Sequence, residues 1–325
     1  MKKSYINRIK NNVSIFSKKY SKNILDGNYR SVYKGKSLNF DDLREYVVGD
    51  NVRDIDWKAS ARSRKFLIKQ YIAEKKHNII IIMDADKKML AESKDGDEKK
   101  DISLMTAGTI AYLAIKNGDE VGSIYNLNNK IEYFPFKNSF YHLELALARY
   151  DLDTNINSTS NINDTINFLR NHIQKNLIVF IITDIDGLNR IDQKYIKELS
   201  MRHDLMIITI SDGFIYGDET YDIDSNEYIP LFISKNKELL KLEEKIHQDV
   251  YSTFVNKSSG YKIGMTVINS NAEIPMKIIY LLESYKYANR IWVTTFIFFF
   301  NNPRVNNFSY FFEYDCFFYK EIFKA

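Results

Sequence analysis

Two pairs of carboxylates stand where hydrophobic runs end. Asp84 and Asp86 close the stretch NIIIIMDAD over residues 78–86, and Asp184 and Asp186 follow LIVFIIT over residues 177–183. Carboxylates are hard oxygen ligands, and two such tips side by side could hold a divalent cation such as Mg²⁺ or Mn²⁺. The same pairs also suggest metal-dependent hydrolysis of the two-metal type, which needs histidines or further carboxylates beside them. The five histidines, His77, His142, His172, His203 and His247, fall in no H-E-x-x-H or comparable ligand spacing. The chain also has no G-x-S-x-G elbow, Walker A loop or G-x-G-x-x-G fingerprint.

The elements that must position these acids are legible from hydrophobic pattern. A continuous apolar run bounded by polar residues suits a strand covered on both faces, as in parallel sheets flanked by helices. In open sheets of that kind ligands bind at the carboxyl ends of the strands. Helical apolar spacing predicts helices over residues 99–117, 140–150, 162–174, 192–201, 235–254 and 274–284. Strands are expected over 120–127, 130–136, 205–210 and 265–268, the first two joined tightly through Asn128-Asn129. Alternation of this sort predicts an α/β fold with a doubly wound, mostly parallel sheet and one antiparallel hairpin. The polar run AESKDGDEKKD at residues 91–101 reads as a mobile surface loop, and the Asn-rich run at 155–163 as another.

The totals bound the class. With 325 residues and 45% hydrophobic content the chain can build a substantial core, and the length prior is about two domains. Its 46 basic and 42 acidic residues leave a formal charge of only +4, so no nucleic-acid partner is expected. The single cysteine, Cys316, fits a reducing compartment. The N-terminus lacks the apolar core of a secretory signal and no run of about 18 apolar residues appears, so a cytoplasmic address is expected. Residues 1–25 form a basic amphipathic pattern, with Ile6, Ile9, Val13 and Phe16 at helical spacing. One greasy face packed on the domain is the expected reading, with peripheral contact to an anionic membrane as the alternative. Residues 291–325 hold 14 of the 46 aromatics, ten of them phenylalanine. This tail reads as a folded extension, a partner- or membrane-binding segment, or the product of a slipped frame in an AT-rich gene, the last being the reading favoured.

From Phe40 to Arg62 the sequence runs FDDLREYVVGDNVRDIDWKASAR, alternating acids and arginines around one tryptophan. Arg44, Arg53 and Arg62 are available to pair with Asp50, Asp54 and Asp56, and Trp57 adds an apolar body with one donor. The segment is expected to clamp the N-terminal region to the sheet, or else to offer a docking surface. The order F-x-D-x-R-x-Y-x-x-G-D-x-x-R-x-I-D-W-K-x-S-A-R, followed by FLIKQYIAE and a strand ending at Asp84, resembles the signature of the bacterial family known as domain of unknown function 58. The resemblance covers roughly residues 27–290 and is strongest before Asp86.

That resemblance implies a von Willebrand factor A-like domain over residues 75–290, preceded by the helix and clamp segment at 1–74 and followed by the tail at 291–325. It also implies an adaptor or assembly role beside a MoxR-type AAA+ ATPase, without enzymatic activity. Type A domains carry a metal-ion-dependent adhesion site written D-x-S-x-S, completed by a threonine and an aspartate from later loops. By this resemblance the first position is Asp84. Asp86 stands where a serine is expected and Lys88 where the second serine is expected. Ser160, or Thr159, takes the threonine position, and Asp184 the last. Lysine has no acceptor to offer a metal, so the site is expected to be degenerate, with either a weakened Mg²⁺ or Mn²⁺ site or Lys88 lying among Asp84, Asp86 and Asp184 as an internal counter-ion. The expected function is therefore a protein-interaction module. A hydrolase using Asp84, Asp86 and Asp184 and a membrane-surface protein are the alternatives.

Overall fold

The computed structural model describes residues 4–19, 24–33, 42–47, 49–50, 52, 55–70, 76–213, 221–222, 227–228 and 236–287. The expected aromatic tail, Arg53 and Asp54 lie outside the described residues. Packing divides the chain into the units Met1–Lys286 and Tyr287–Ala325.

Helices α1 (Tyr5–Lys19) and α2 (Ile24–Tyr33) come first, then an antiparallel ladder of β1 (Asp42–Glu45) and β2 (Leu67–Gln70) with the short helix α3 (Trp57–Ser63) between them. The main run follows as β3 (Asn78–Met83), α4 (Lys99–Lys116), β4 (Glu120–Leu127), β5 (Lys130–Lys137), α5 (Phe140–Asp153), α6 (Ile162–His172) and β6 (Ile178–Asp184). After it come α7 (Ile185–Arg190), α8 (Gln193–Arg202) and β7 (Asp204–Ile210). A two-residue ladder, β8 (Tyr221–Asp222) and β9 (Glu227–Tyr228), precedes α9 (Lys237–Ser258), β10 (Ile263–Ile268) and α10 (Ile274–Tyr287).

Six strands make the central sheet in the order β10-β7-β6-β3-β4-β5, and only the β4–β5 pair is antiparallel. Counted along the chain, these strands lie 6-5-4-1-2-3, the doubly wound arrangement whose strand order reverses between β3 and β6. That hairpin turns on Asn128 and Asn129, with φ of 49° and 63°, the left-handed pair a two-residue turn requires. The strands are buried on both faces with period two. Ile79, Ile81 and Met83 of β3, with Ile178, Phe180 and Ile182 of β6, join the core under α1, α4, α5 and α10. Ile80, Ile82, Val179 and Ile181 join the opposite core, with Ile166 of α6, Ile196 of α8 and Phe254 of α9. Unbroken isoleucine runs are the consequence of that double cover.

Helix α4 is buried almost throughout, because α1 and α5 lie over it. The basic helix α1 therefore belongs to the same core as the sheet, with Ile6, Ile9 and Phe16 buried. Gly108 of α4 makes this approach possible, since a Cβ there would fall 2.2 Å from Ile9 Cδ1. Polar ties close the contact. Glu144 of α5 accepts the Tyr5 and Ile6 N–H groups, each at 2.9 Å, satisfying orphan donors of the first turn, and Arg8 pairs with Asp101 at 2.8 Å. The sequence boundary expected at residue 74 is thus not a boundary of packing.

The run at 91–101, expected to be a mobile loop, is instead pinned. Ser93 N–H donates to the Asp97 carbonyl at 2.7 Å, its buried hydroxyl reaches the Asn269 carbonyl at 2.6 Å, and Gly213 N–H donates to the Glu92 carbonyl at 2.8 Å. Its polar side chains serve interior hydrogen bonds and an ion pair, which composition alone does not distinguish from solvation. Among the described residues no helix is long and apolar enough to cross a membrane.

Replacing Ile9 by alanine is expected to lower the unfolding free energy by ~2–4 kcal/mol in urea titrations of the full chain. A change within about 0.5 kcal/mol, the range of ordinary surface substitutions, would show α1 to be an appendage.

Candidate functional site

The tips of β3 and β6 meet at the point where the strand order reverses. The Asp84 N–H donates to the Ile182 carbonyl at 3.0 Å, so the two tips are stitched together one residue before the acids diverge. Asp84 is buried. Its Oδ1 accepts the Asp86 N–H at 3.2 Å and its Oδ2 accepts the Thr183 hydroxyl at 2.9 Å, while its carbonyl accepts the buried Tyr150 hydroxyl. Asp86 caps a single 3₁₀ turn, Lys87–Leu90, by accepting the Lys88 N–H at 3.1 Å, and its other oxygen accepts the Ser160 N–H at 3.3 Å. Asp184 ends β6 and caps α7, accepting the Gly187 N–H at 2.8 Å. Glycine at 187 is a matter of close approach, because a Cβ there would lie 1.9 Å from Thr183 Oγ1 and 2.7 Å from Asp84 Oδ2.

Asp84, Asp86, Ser160 and Asp184 are thereby brought to one cleft of about 370 Å³, whose walls also include Lys88, Asn161, Asn163 and Arg190. Of the two residues considered for the threonine position, Ser160 lines the cleft. Thr159 instead holds the Asn128 side chain, donating its N–H at 2.9 Å and its hydroxyl at 3.1 Å. The Ser160 Oγ is buried and has no hydrogen-bond partner among the described residues.

The counter-ion is not where the sequence placed it. Lys88 lines the cleft with its ammonium 2.5 Å from Asp186 and acts on Asp184 as a neighbouring charge. The interior cation is Lys99, the first residue of α4, which is 2% exposed and lies 2.8 Å from Asp184 Oδ2 while also pairing with Asp212. Both signals were available. A lysine in the first turn of an otherwise buried helix is opposed by the helix dipole and so needs nearby carboxylates. Asp212 also follows a strand, as Asp84 and Asp184 do, two residues beyond the end of β7.

The charges shift one another. Burial opposes ionisation of Asp184, but the Lys99 charge and hydrogen bond, with the Gly187 N–H, hold its carboxyl below the usual range. Burial alone would lower the Lys99 pKa, and the charges of Asp184 and then Asp212 raise it instead. Asp84, which has no cation of its own, is pushed up to about 6 by burial and then by the Asp184 charge.

The arrangement does not suit a resident metal ion. Both oxygens of Asp84, Asp86 and Asp184 already accept hydrogen bonds from the protein. Among the described residues no three His, Cys, Asp or Glu side chains converge to hold an ion.

The expected clamp is smaller than its sequence suggests. Arg44 and Asp50 form a two-pronged pair, with both N–O distances 2.7 Å, which holds the Asp50 carboxyl below its usual range. Asp56 caps α3 through the Lys58 and Ala59 N–H groups at 3.1 and 3.0 Å. Trp57 and Arg62 do not join the pairing. Arg62 makes no ion pair among the described residues, and Trp57 is 61% exposed, packed edge-on against the equally exposed Phe66 at 6.3 Å. Both cap bonds fall on the Oδ1 oxygen of Asp56.

Residues 42–214, more than half of the chain, match the family described as protein of unknown function DUF58, and the chain belongs to that family. Similar curated proteins include uncharacterized protein Rv1480 of Mycobacterium tuberculosis and uncharacterized protein Mb1516 of Mycobacterium bovis. Each is 27% identical over 104 residues, covering 31% of this chain and 32% of the relative. The match thus spans about a third of those relatives. Similar solved structures include an aerotolerance-related membrane protein from Bacteroides fragilis, at 13% identity over 64% of this chain and 99% of that one, with a TM-score of 0.37. The SpRpn10 VWA domain is 11% identical over 62% of this chain and 94% of its own, with a TM-score of 0.36. A von Willebrand factor type A protein from Catenulispora acidiphila is 9% identical over 68% of this chain and 44% of its own, with a TM-score of 0.35.

Asp84→Asn removes the titration that burial displaces. A carboxyl with a raised folded pKa favours the folded state below its ordinary value of 3.8, and that contribution is lost as pH rises through about 6. Across that window wild-type stability should fall relative to the variant, leaving Asp84→Asn more stable at neutral pH by on the order of 2 kcal/mol. Parallel pH profiles of thermal unfolding would refute this.

Proposed function

We propose that the chain is a non-enzymatic protein-interaction module that receives a partner in the sheet-edge cleft at Asp84, Asp86, Ser160 and Asp184. The observation that carries the reading is the Ser160 hydroxyl, a buried hydrogen-bonding group left without a partner on the wall of a polar cleft. Leaving such a group unsatisfied costs about 1–3 kcal/mol, which an incoming donor or acceptor would recover once rotation about the Cα–Cβ bond turns the hydroxyl into the cleft. A catalytic reading is poorly served, because each carboxylate at the cleft is already engaged by protein donors and, among the described residues, no nucleophile–base pair stands beside them. The partner we favour, a MoxR-type AAA+ ATPase in assembly or maturation of other proteins, rests on the family resemblance alone, and a cytoplasmic setting goes with it.

A second contact surface has its own observation. Trp57 and Phe66 are each more than 60% exposed, and Lys58, Arg62 and Arg64 of the same short segment are exposed as well. Aromatic and arginine side chains are the residue types that anchor interfaces.

The test is co-purification of the full chain with the purified ATPase and nucleotide, comparing wild type with Ser160→Tyr, which fills the cleft. Capture lost in the variant is the expected result. Absence of association in wild type would remove the ATPase as partner, and capture unaffected by Ser160→Tyr would move the contact away from the cleft. Trp57→Ala is expected to change stability by no more than about 0.5 kcal/mol while weakening capture. A larger stability loss would return Trp57 to a structural role.

A further inference from the structure

The sheet-edge acids belong to a fold class that answers such charge with a divalent ion, yet this site already contains a cation that cannot leave. We infer that Lys99 is the resident cation of the cleft, so that the site reaches its working state without a divalent metal. The inference builds on the reading of the cleft as a contact site and concerns how its charge is balanced.

Three observations carry it. The Lys99 ammonium is enclosed, with its side chain 3% exposed, and it bridges the tips of two neighbouring strands by pairing with Asp184 at the end of β6 and Asp212 beyond the end of β7. It is covalently fixed at the head of α4, whose following residues Ile102 to Ile110 are all buried, so it cannot swing into solvent without unpacking that helix. Each carboxylate oxygen at the cleft also accepts one hydrogen bond from the protein. Asp184 holds the Gly187 N–H, Asp84 holds the Asp86 N–H and the Thr183 hydroxyl, and Asp86 holds the Lys88 and Ser160 N–H groups.

A hard divalent ion needs about six oxygen ligands at close range, with Mg²⁺ the more exacting. To enter here it would have to share those oxygens with the protein's donors and also stand near a fixed ammonium on the Asp184 carboxylate, where like charges repel strongly in a poorly solvated setting. Lys88 on Asp186 adds a second cation at the cleft. Lys99 thus does electrostatically what the metal does in an adhesion site: it holds the strand-end carboxylates together and keeps Asp184 ionised. A metal comes and goes with concentration and chelators, whereas a lysine in the chain is always present, so the cleft is permanently in its charged-balanced form.

The experiment uses Mn²⁺ alone as the probe, following the loss of the free-ion electron paramagnetic resonance signal in the presence of the full chain. Thermal unfolding is recorded in parallel with Mg²⁺ and with EDTA. Wild type is expected to take up no Mn²⁺ at a saturable site and to melt identically in both conditions. Lys99→Ser, which opens the space between Asp184 and Asp212, is expected to gain Mn²⁺ affinity by about tenfold or more, with a melting temperature that Mg²⁺ raises, and Asp184→Asn in that background is expected to abolish the gain. Saturable Mn²⁺ binding by wild type that Asp84→Asn or Asp184→Asn removes would overturn the inference. So would a folded Lys99→Ser that binds no better than wild type. Where Lys99→Ser does not fold, the wild-type titration and melts decide alone. Partner capture does not enter these readouts, so failure of the adaptor reading and failure of the Lys99 inference are separately visible.

Discussion

A parallel strand buried on both faces can end in a carboxylate only if something nearby answers the charge. Three strands of this sheet run into such ends, at Asp84, Asp184 and Asp212, and the enclosed Lys99 ammonium pairs with the last two. Much of the surrounding architecture follows from keeping it there. The polar run before α4 is folded back on itself and hydrogen-bonded to the tips of β7 and β10, which delivers Lys99 to the sheet edge. The α7 backbone is drawn so close to the acids that residue 187 has no room for a side chain. Breaking a buried pair by removing one partner is typically worth 3–5 kcal/mol because it leaves an uncompensated charge, so this contact constrains the sheet edge more than any exposed pair in the molecule.

The two halves of the site differ in how that constraint is met. Asp184 has a lysine, stays ionised and acts as a cap. Asp84 has only a hydroxyl and an amide, and its pKa is raised, first by burial and then by the neighbouring Asp184 charge. Two carboxylates whose environments push their protonation apart are often an acid–base pair in an enzyme. Here the same separation is the ordinary result of seating two acids at a switch point with one buried cation on one side.

Much of this was legible in the residues. The both-sided isoleucine runs of β3 and β6, the Asn128-Asn129 turn and the glycine after α4 follow from period and turn chemistry, because those signals are local, whereas the meeting of Asp84 with Asp184 was expected from the family resemblance and the habit of open sheets to gather strand ends. The apolar face of α1 was also readable, although not that Gly108 receives Ile9. Lys99 was not recognised because its segment, ESKDGDEKKD, has the composition of a solvated loop, and whether a lysine faces water or two carboxylates more than 80 residues away depends on the sheet order. Lys88 was chosen instead because it stands where the adhesion-site motif has its second serine, yet the 3₁₀ turn that Asp86 caps carries it to Asp186.

The same distinction between local and distant partners explains the Arg/Asp/Trp segment. Counted as charges, Arg44, Arg62, Asp50 and Asp56 suggest a closed network, but a carboxylate at the head of a helix has a competing use for its oxygens. Asp56 takes the two N–H groups of α3, a geometry fixed by three residues of chain, over a guanidinium at the far end of that helix. Arg62 and Trp57 are both exposed on the described surface, and both are residue types of the kind that contacts another protein. The segment therefore combines a short structural pair at Arg44 and Asp50 with an exposed aromatic and basic face.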